Sequence, residues 1–284
     1  MNMRDLSITE QLIYTTTRVE CKRSDGLEHI ATAFFCKLYL DKTHFVEVLV
    51  SNRHVFEKLE KITIHVCTLN EKEDIEYPYV NYECTIADPS FVILHPNKDI
   101  DLAIMPIKSL LDDIQDKRGK RVFYKTIESK YFANFQSNDY DAIEEVLMIG
   151  YPNGIWDDTN NRPIVRRGIT ATDPKADYKG RPEFLIDCAC FEGSSGSPVF
   201  LVKKGLITDK FGVVRNPQGQ VVELMGVQRA IPIKQSYANI EVIQDTNARP
   251  VAKMSQPLNL GYIIKVEKLL DFIPILKTKV SFEK

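Results

Sequence analysis

Phe191-Glu192-Gly193-Ser194-Ser195-Gly196-Ser197-Pro198-Val199 sets a serine between glycines at the entrance to an apolar strand. Glycine lets the backbone turn where a Cβ would clash, so neighbouring N–H groups can converge on one point. The expected pair is the N–H groups of Gly193 and Ser195, a pocket for an oxygen that gains negative charge. Ser195 is then the nucleophile, its hydroxyl presented to a carbonyl carbon. Gly-Ser turns also open ordinary hairpins, so the reading depends on a base and an acid elsewhere in the chain.

A serine hydroxyl is a weak nucleophile at neutral pH until a base takes its proton. Among five histidines, His54 follows the apolar run Phe45–Val50 and sits in Ser51-Asn52-Arg53-His54-Val55, where a strand meets a turn. His29, His44, His65 and His95 read as surface histidines or hydrogen-bonded core ones. A third group must hold the imidazole in one tautomer and stabilise its cation. Asp101 precedes Leu102-Ala103-Ile104-Met105-Pro106 and so stands at the edge of a buried layer. Asp99 points to the same side of an extended segment and is an open alternative.

The order His54, Asp101, Ser195 is that of chymotrypsin, and the serine lacks the Gly-x-Ser-x-Gly spacing of the α/β-hydrolases. Ser51-Asn52-Arg53-His54-Val55 resembles a Thr-Asn-x-His-Val segment, Asp101-Leu102-Ala103-Ile104 an Asp-Leu-Ala-hydrophobic one, and Gly193–Pro198 a Gly-Asn-Ser-Gly-Gly-Pro one. Ile149-Gly150-Tyr151-Pro152-Asn153-Gly154, Arg167–Ala171 and Asn259–Ile264 add matches in the same order. On these motifs the chain resembles the trypsin-like serine peptidases of the chymotrypsin superfamily, closest to HtrA-type and related bacterial peptidases. It departs at Ala31-Thr32-Ala33, where the family often has glycines, and at Ser194 and Ser197, where Asn and Gly are usual.

The resemblance implies an all-β fold of two six-stranded antiparallel β-barrels with a C-terminal helix. Residues 1–120 would form the barrel carrying His54 and Asp101, and residues 121–284 the barrel carrying Ser195. It implies a serine endopeptidase acting through an acyl-enzyme, with a polypeptide substrate. Ala189 would lie at the floor of the P1 pocket, and Arg229 and Ala230 on the edge that pairs with substrate backbone. An uncharged Ala189 favours an apolar P1 residue over Lys or Arg. Glu192 places a carboxylate beside the oxyanion pocket, where it either biases the cleft against acidic substrates or faces solvent. Two other classes fit the same residues: a latent or inactive protease-fold binding module activated by a partner, and a non-proteolytic esterase.

The whole chain sets bounds. Its 284 residues, 44% of them hydrophobic, suit one large domain or two small ones with a proper core. A formal net charge of −2 points to neither nucleic acid nor an anionic membrane as a partner. The N-terminal residues lack an apolar signal region, which leads us to expect a cytoplasmic protein. Cys21, Cys36, Cys67, Cys84, Cys188 and Cys190 are irregularly spaced and read as free, mostly buried thiols. Cys188-Ala189-Cys190 lacks zinc-ligand spacing, so we expect no metal and no cofactor. Whether the chain forms a homo-oligomer or needs an activating partner is left open. After about residue 266 the chain is too short for the peptide-binding PDZ module that HtrA proteins often carry.

Twelve short strand-like runs fall in two series of six, from Ile13 to Ile107 and from Val146 to Val266. Asn216-Pro217-Gln218-Gly219 reads as a hairpin turn. The polar stretch from about Ser109 to Glu145 reads as the connection between the halves, beginning with a short helix. Lys265–Ile273 reads as a helix that Pro274 ends.

Overall fold

The computed structural model describes residues 5–137, 139–231, 233–239 and 251–279. The first series of strands is β1 (Thr16–Arg23), β2 (Glu28–Tyr39), β3 (Phe45–Ser51), β4 (Leu59–Leu69), β5 (Ile75–Thr85), β6 (Ile93–Leu94), β7 (Ala103–Pro106), β8 (Arg121–Phe123) and β9 (Ile127–Glu128). They form one sheet in the order β5-β4-β1-β2-β3-β7-β6, with β8 paired to β4 and β9 to β2. Six of these strands have four residues or more, and β6, β8 and β9 are shorter. The second series is β10 (Glu145–Gly150), β11 (Ile164–Thr170), β12 (Glu183–Asp187), β13 (Pro198–Thr208) and β14 (Val214–Ala230). A separate ribbon of β15 (Ile233–Asn239) and β16 (Val251–Pro257) follows, then β17 (Leu260–Lys265). Strands β10-β11-β12-β17-β14-β13 close into a six-stranded barrel. The described residues contain four α-helices: α1 (Ile8–Leu12), α2 (Arg53–Phe56), α3 (Lys108–Arg118) and α4 (Ile273–Lys279). The protein is therefore all-β, with two antiparallel sheets and a C-terminal helix. No helix among the described residues is long and apolar enough to cross a membrane.

The central strands of the first sheet are buried on both faces, which explains why they read as unbroken apolar runs. On β2, Ala31, Ala33 and Phe35 face the first core, while Phe34, Cys36 and Leu38 face a larger core shared with the second barrel. On β3, Leu49 points one way and Val48 and Val50 the other. The shared core also takes Met148, Phe184, Phe200, Val227 and Phe272, so the two sheets pack as one body around the β2-β3-β7 layer.

Three expectations need correction. The hairpin turn lies at residues 209–213, and residues 216–219 belong to β14, whose register against β13 shifts nearby. Asp209 makes the real turn: its Oδ1 accepts from the N–H groups of Phe211 and Val213, both at 3.0 Å. Pro274 does not end the C-terminal helix. Residues Val266–Phe272 form a 3-10 helix, and α4 starts at Ile273, so Pro274 occupies a first-turn position where a missing N–H costs nothing. The connection from 109 to 145 contains more than a helix, because β8 and β9, past residue 120, join the first sheet.

Candidate active site

β3 ends at Ser51 and α2 starts at Arg53, so His54 lies in the first turn of a four-residue helix. The first N–H groups of a helix have no intrahelical acceptor. Asp101 supplies one: the His54 N–H donates to Asp101 Oδ1 at 3.0 Å, and Oδ2 lies 2.7 Å from His54 Nδ1. Asn52 is buried and donates Nδ2 to the Asp101 carbonyl at 2.9 Å, fixing the acid's backbone in turn. One carboxylate thereby holds both the main chain and the ring. With Nδ1–H donating to the Asp101 carboxylate, Nε2 keeps the free lone pair. Asp99 is exposed, and the carboxylate at the imidazole is that of Asp101.

The turn that carries Ser195 is fastened peptide by peptide. The Glu192 carbonyl accepts from the Asn153 N–H at 2.5 Å. In a trans peptide the N–H points opposite its carbonyl, so the Gly193 N–H faces the other way. The Gly193 carbonyl accepts from Thr32 Oγ1 at 3.1 Å, and the Ser194 N–H donates to the Phe191 carbonyl at 3.2 Å. The Ser194 carbonyl accepts from the Ser197 N–H at 2.9 Å, which turns the Ser195 N–H outward. Among the described residues, the N–H groups of Gly193 and Ser195 have no protein acceptor. Gly193 has φ +77, and a Cβ there would stand 2.7 Å from the Tyr151 carbonyl oxygen, so only glycine fits. Arg166 braces the turn from behind, its Nη1 donating to the Ala189 carbonyl at 2.9 Å and Ser194 Oγ at 2.7 Å.

His54 and Ser195 line the same two cavities. One, of about 330 Å³, is bounded by Asp101, Phe191, Glu192 and the segment Gln228–Ile231. The other, of about 1010 Å³, runs along β1 and β2 past His29, Asn153, Glu192 and Gly193. Ser195 Oγ donates to the Arg229 carbonyl at 3.4 Å. His29 sits on the wall of the larger cavity, its pKa held below the ordinary range by burial and by neighbouring His54. Of the sequence-predicted residues, Glu192, Arg229 and Ala230 join His54, Asp101 and Ser195 at the smaller cavity, and Gly193 borders the larger. Ala189 lies outside both linings and is exposed. Arg229 is already matched, with its Nε 2.9 Å from buried Glu183 and its guanidinium 5.2 Å from the Tyr262 ring centre.

Residues 31–207 match the trypsin-like peptidase domain family, a span that takes in His54, Asp101 and Ser195. The chain belongs to that family. The peptidase is similar in structure to the protease Anisep from Arthrobacter nicotinovorans, with 11% identity, 89% of this chain and 90% of that chain covered, and a TM-score of 0.46. It is likewise similar to a structure of GrC, with 12% identity, 94% of each chain covered and a TM-score of 0.43. Curated proteins yield no match to its sequence.

In this peptidase the cysteines beside the turn are buried thiols. All six are free, and burial pushes the Cys190 thiol up to about 12 and raises Cys188. A protonated buried thiol is unreactive. No cluster of three or more His, Cys, Asp or Glu among the described residues has the makings of a metal site. Four residues that position the site carry no chemical motif of their own: Thr32, Asn52, Asn153 and Arg166. Three lay in stretches already noticed: Thr32 at a departure from family glycines, Asn52 in Ser51–Val55 and Asn153 in Ile149–Gly154. Nothing in sequence marked Arg166, because its partners are a backbone carbonyl and a serine far along the chain.

Proposed function

We propose that the protein is a serine endopeptidase in which Ser195 is the nucleophile, His54 the base and Asp101 the group that orients it. The observation that carries this reading is a serine turn with two unpaired N–H groups, those of Gly193 and Ser195, on the same cleft as an imidazole clamped twice by one carboxylate. The Ser195 hydroxyl turns from the Arg229 carbonyl to His54 Nε2 and gives up its proton as Oγ bonds to the substrate carbonyl carbon. The oxygen left negative accepts from the Gly193 and Ser195 N–H groups. His54 returns the proton to the amide nitrogen, the C–N bond breaks and an acyl-serine remains. Water then repeats the cycle and frees Ser195.

The substrate is a polypeptide whose backbone pairs with the Arg229–Ala230 edge. The side chains of Phe191, Ala230 and Ile231 around the smaller cavity support an apolar P1 residue. Pairing of Arg229 with Glu183 removes the nearest cation that would draw an acidic one. Within the family, the segments Ile149–Gly154 and Arg167–Ala171 support a place beside HtrA-type and related bacterial peptidases. One observation favours a second reading, a latent form that a partner activates: the resting Ser195 hydroxyl bonds to Arg229 and not to the His54 ring.

Intact-mass labelling with a fluorophosphonate separates the two. Wild type is expected to take one label, and Ser195→Ala and His54→Ala none. A folded wild type that stays unlabelled would rule out the active-enzyme reading in favour of the latent one.

A further inference from the structure

Thr32 lies on β2, in the half of the molecule that carries the base, yet its hydroxyl is spent on the half that carries the nucleophile. It is fully buried. Its Oγ1 donates to the Gly193 carbonyl at 3.1 Å and accepts from the Tyr151 N–H at 3.0 Å and from Ser197 Oγ at 3.2 Å. One donor and two acceptor sites are thereby all used, the full capacity of a hydroxyl. The main chain follows the same path: the Thr32 N–H donates to the Ser195 carbonyl at 3.0 Å, and the Thr32 carbonyl accepts from Ser51 Oγ at 2.8 Å. Ser51 stands three residues before His54. At Gly150 the structure makes room for this network, since a Cβ there would fall 2.7 Å from Thr32 Oγ1 and 2.0 Å from Ser197 Oγ.

We infer that Thr32 is a positioning residue for the oxyanion site, one that sets the peptide between the two catalytic N–H groups and ties it to the half of the molecule holding His54. The inference rests on the peptidase reading. The Gly193–Ser194 peptide separates the 192–193 peptide, whose N–H is that of Gly193, from the 194–195 peptide, whose N–H is that of Ser195. Its N–H is tied to the Phe191 carbonyl at 3.2 Å and its carbonyl, among the described residues, to Thr32 alone, so the hydroxyl is one of two bonds that fix its orientation. Released, that peptide can rotate and carry the two donors out of convergence. A hydroxyl at this position therefore acts on the transition state and not on substrate affinity.

The test measures fluorophosphonate labelling as a maximal rate, kinact, and a half-saturating concentration, KI. Thr32→Val keeps shape and removes the hydroxyl, and its kinact is expected to fall about ten- to hundredfold with KI within about threefold. Thr32→Ser restores the hydroxyl and is expected within about threefold of wild type. Thr17→Val removes an equally buried hydroxyl, one that donates to the His65 carbonyl at 3.0 Å and not to the Gly193–Ser195 turn, and is expected to lower melting temperature with kinact within about threefold. Wild-type kinact in Thr32→Val would overturn the inference, as would equal losses in Thr32→Val and Thr17→Val, or a Thr32→Ser variant as slow as Thr32→Val. If Thr32→Val does not fold, Thr32→Ala, which also lacks the hydroxyl, is read in its place, and a Thr32→Ser variant as slow as Thr32→Ala overturns the inference. Wild type that takes no label defeats the peptidase reading itself and this inference with it, an outcome distinct from labelled wild type with an unaffected Thr32→Val.

Discussion

Asp101 holds His54 by its backbone and by its ring, so the acid fixes position and tautomer together. Asp101→Asn keeps the shape but presents an amide that favours the wrong tautomer. We expect kcat to fall about ten-thousandfold with little change in melting temperature, read by turnover of a peptide with an apolar P1 residue. His65 shows a different constraint. It is buried beside Arg18, Glu20, Tyr79 and Trp156, with Arg18 Nη1 and Glu20 Oε1 both 3.2 Å from its Nε2. Burial holds its pKa below the ordinary 6.5 despite Glu20. The unfolded chain therefore takes up the proton first as pH falls. The His65 contribution to stability is fully present above about pH 6.5 and is lost as pH drops through the folded value, with His29 acting in the same direction. Melting temperature is expected to fall between about pH 7 and pH 5, and to fall less in His65→Gln.

At the scale of elements, the turn after β10 does more than connect strands. Pro152–Gly154 is a 3-10 turn in which Asn153 has φ 51 and Gly154 φ 70. The left-handed conformation at Asn153 aims its N–H at the Glu192 carbonyl, so a strained turn in one segment orients the Glu192–Gly193 peptide of another. Asn tolerates this conformation better than other residues with a Cβ. Asn153→Ala is expected to cost about 1 kcal/mol of stability, and Asn153→Gly to cost less or nothing, in urea melts of the two variants. The sequence displayed Ile149–Gly154 as a family segment and hid its purpose, because the bond it makes joins residues 39 positions apart. In the same way β13 and β14 were legible as strands, while the turn between them was misplaced: Asn-Pro-Gln-Gly carries strong turn chemistry, but the Asp209 carboxylate captures two N–H groups earlier and closes the hairpin there.

The whole molecule is held by a core that both sheets share and by a polar-aromatic seam. Trp156, the single tryptophan, lies in that seam, with the His65 and Tyr79 rings each 4.8 Å away and the Arg18 guanidinium 5.2 Å from its ring centre. Nearby, Asn161 Nδ2 donates to the His65 carbonyl at 3.2 Å, and Arg162 Nη2 to the Tyr77 hydroxyl at 2.9 Å. Trp156 fluorescence thus reports the docking of the two halves. Because β2 and β3 are buried on both faces and β8 and β9, past residue 120, join the first sheet, we propose that the two sheets form one cooperative unit. Urea unfolding followed by Trp156 fluorescence and by far-UV circular dichroism is expected to give coincident midpoints. An earlier fluorescence transition would mean that the halves separate before either unfolds.

Sequence by itself determined the six barrel strands, the longer strands of the first sheet and the chemical groups, since each is encoded within a few neighbouring residues. Apolar runs such as Ala31–Cys36 and Phe45–Val50 specify extended segments, and Ser195 between glycines, His54 at a strand end and Asp101 before an apolar run each carry their own local signal. Tertiary structure decided which acid meets the imidazole, how Arg229 is neutralised and what orients the Gly193–Ser195 turn. Those outcomes depend on hydrogen bonds between residues distant in the chain, 161 positions apart for Thr32 and Gly193. Such a bond exists only once two sheets have packed at a fixed distance, and no local pattern of residues encodes that distance.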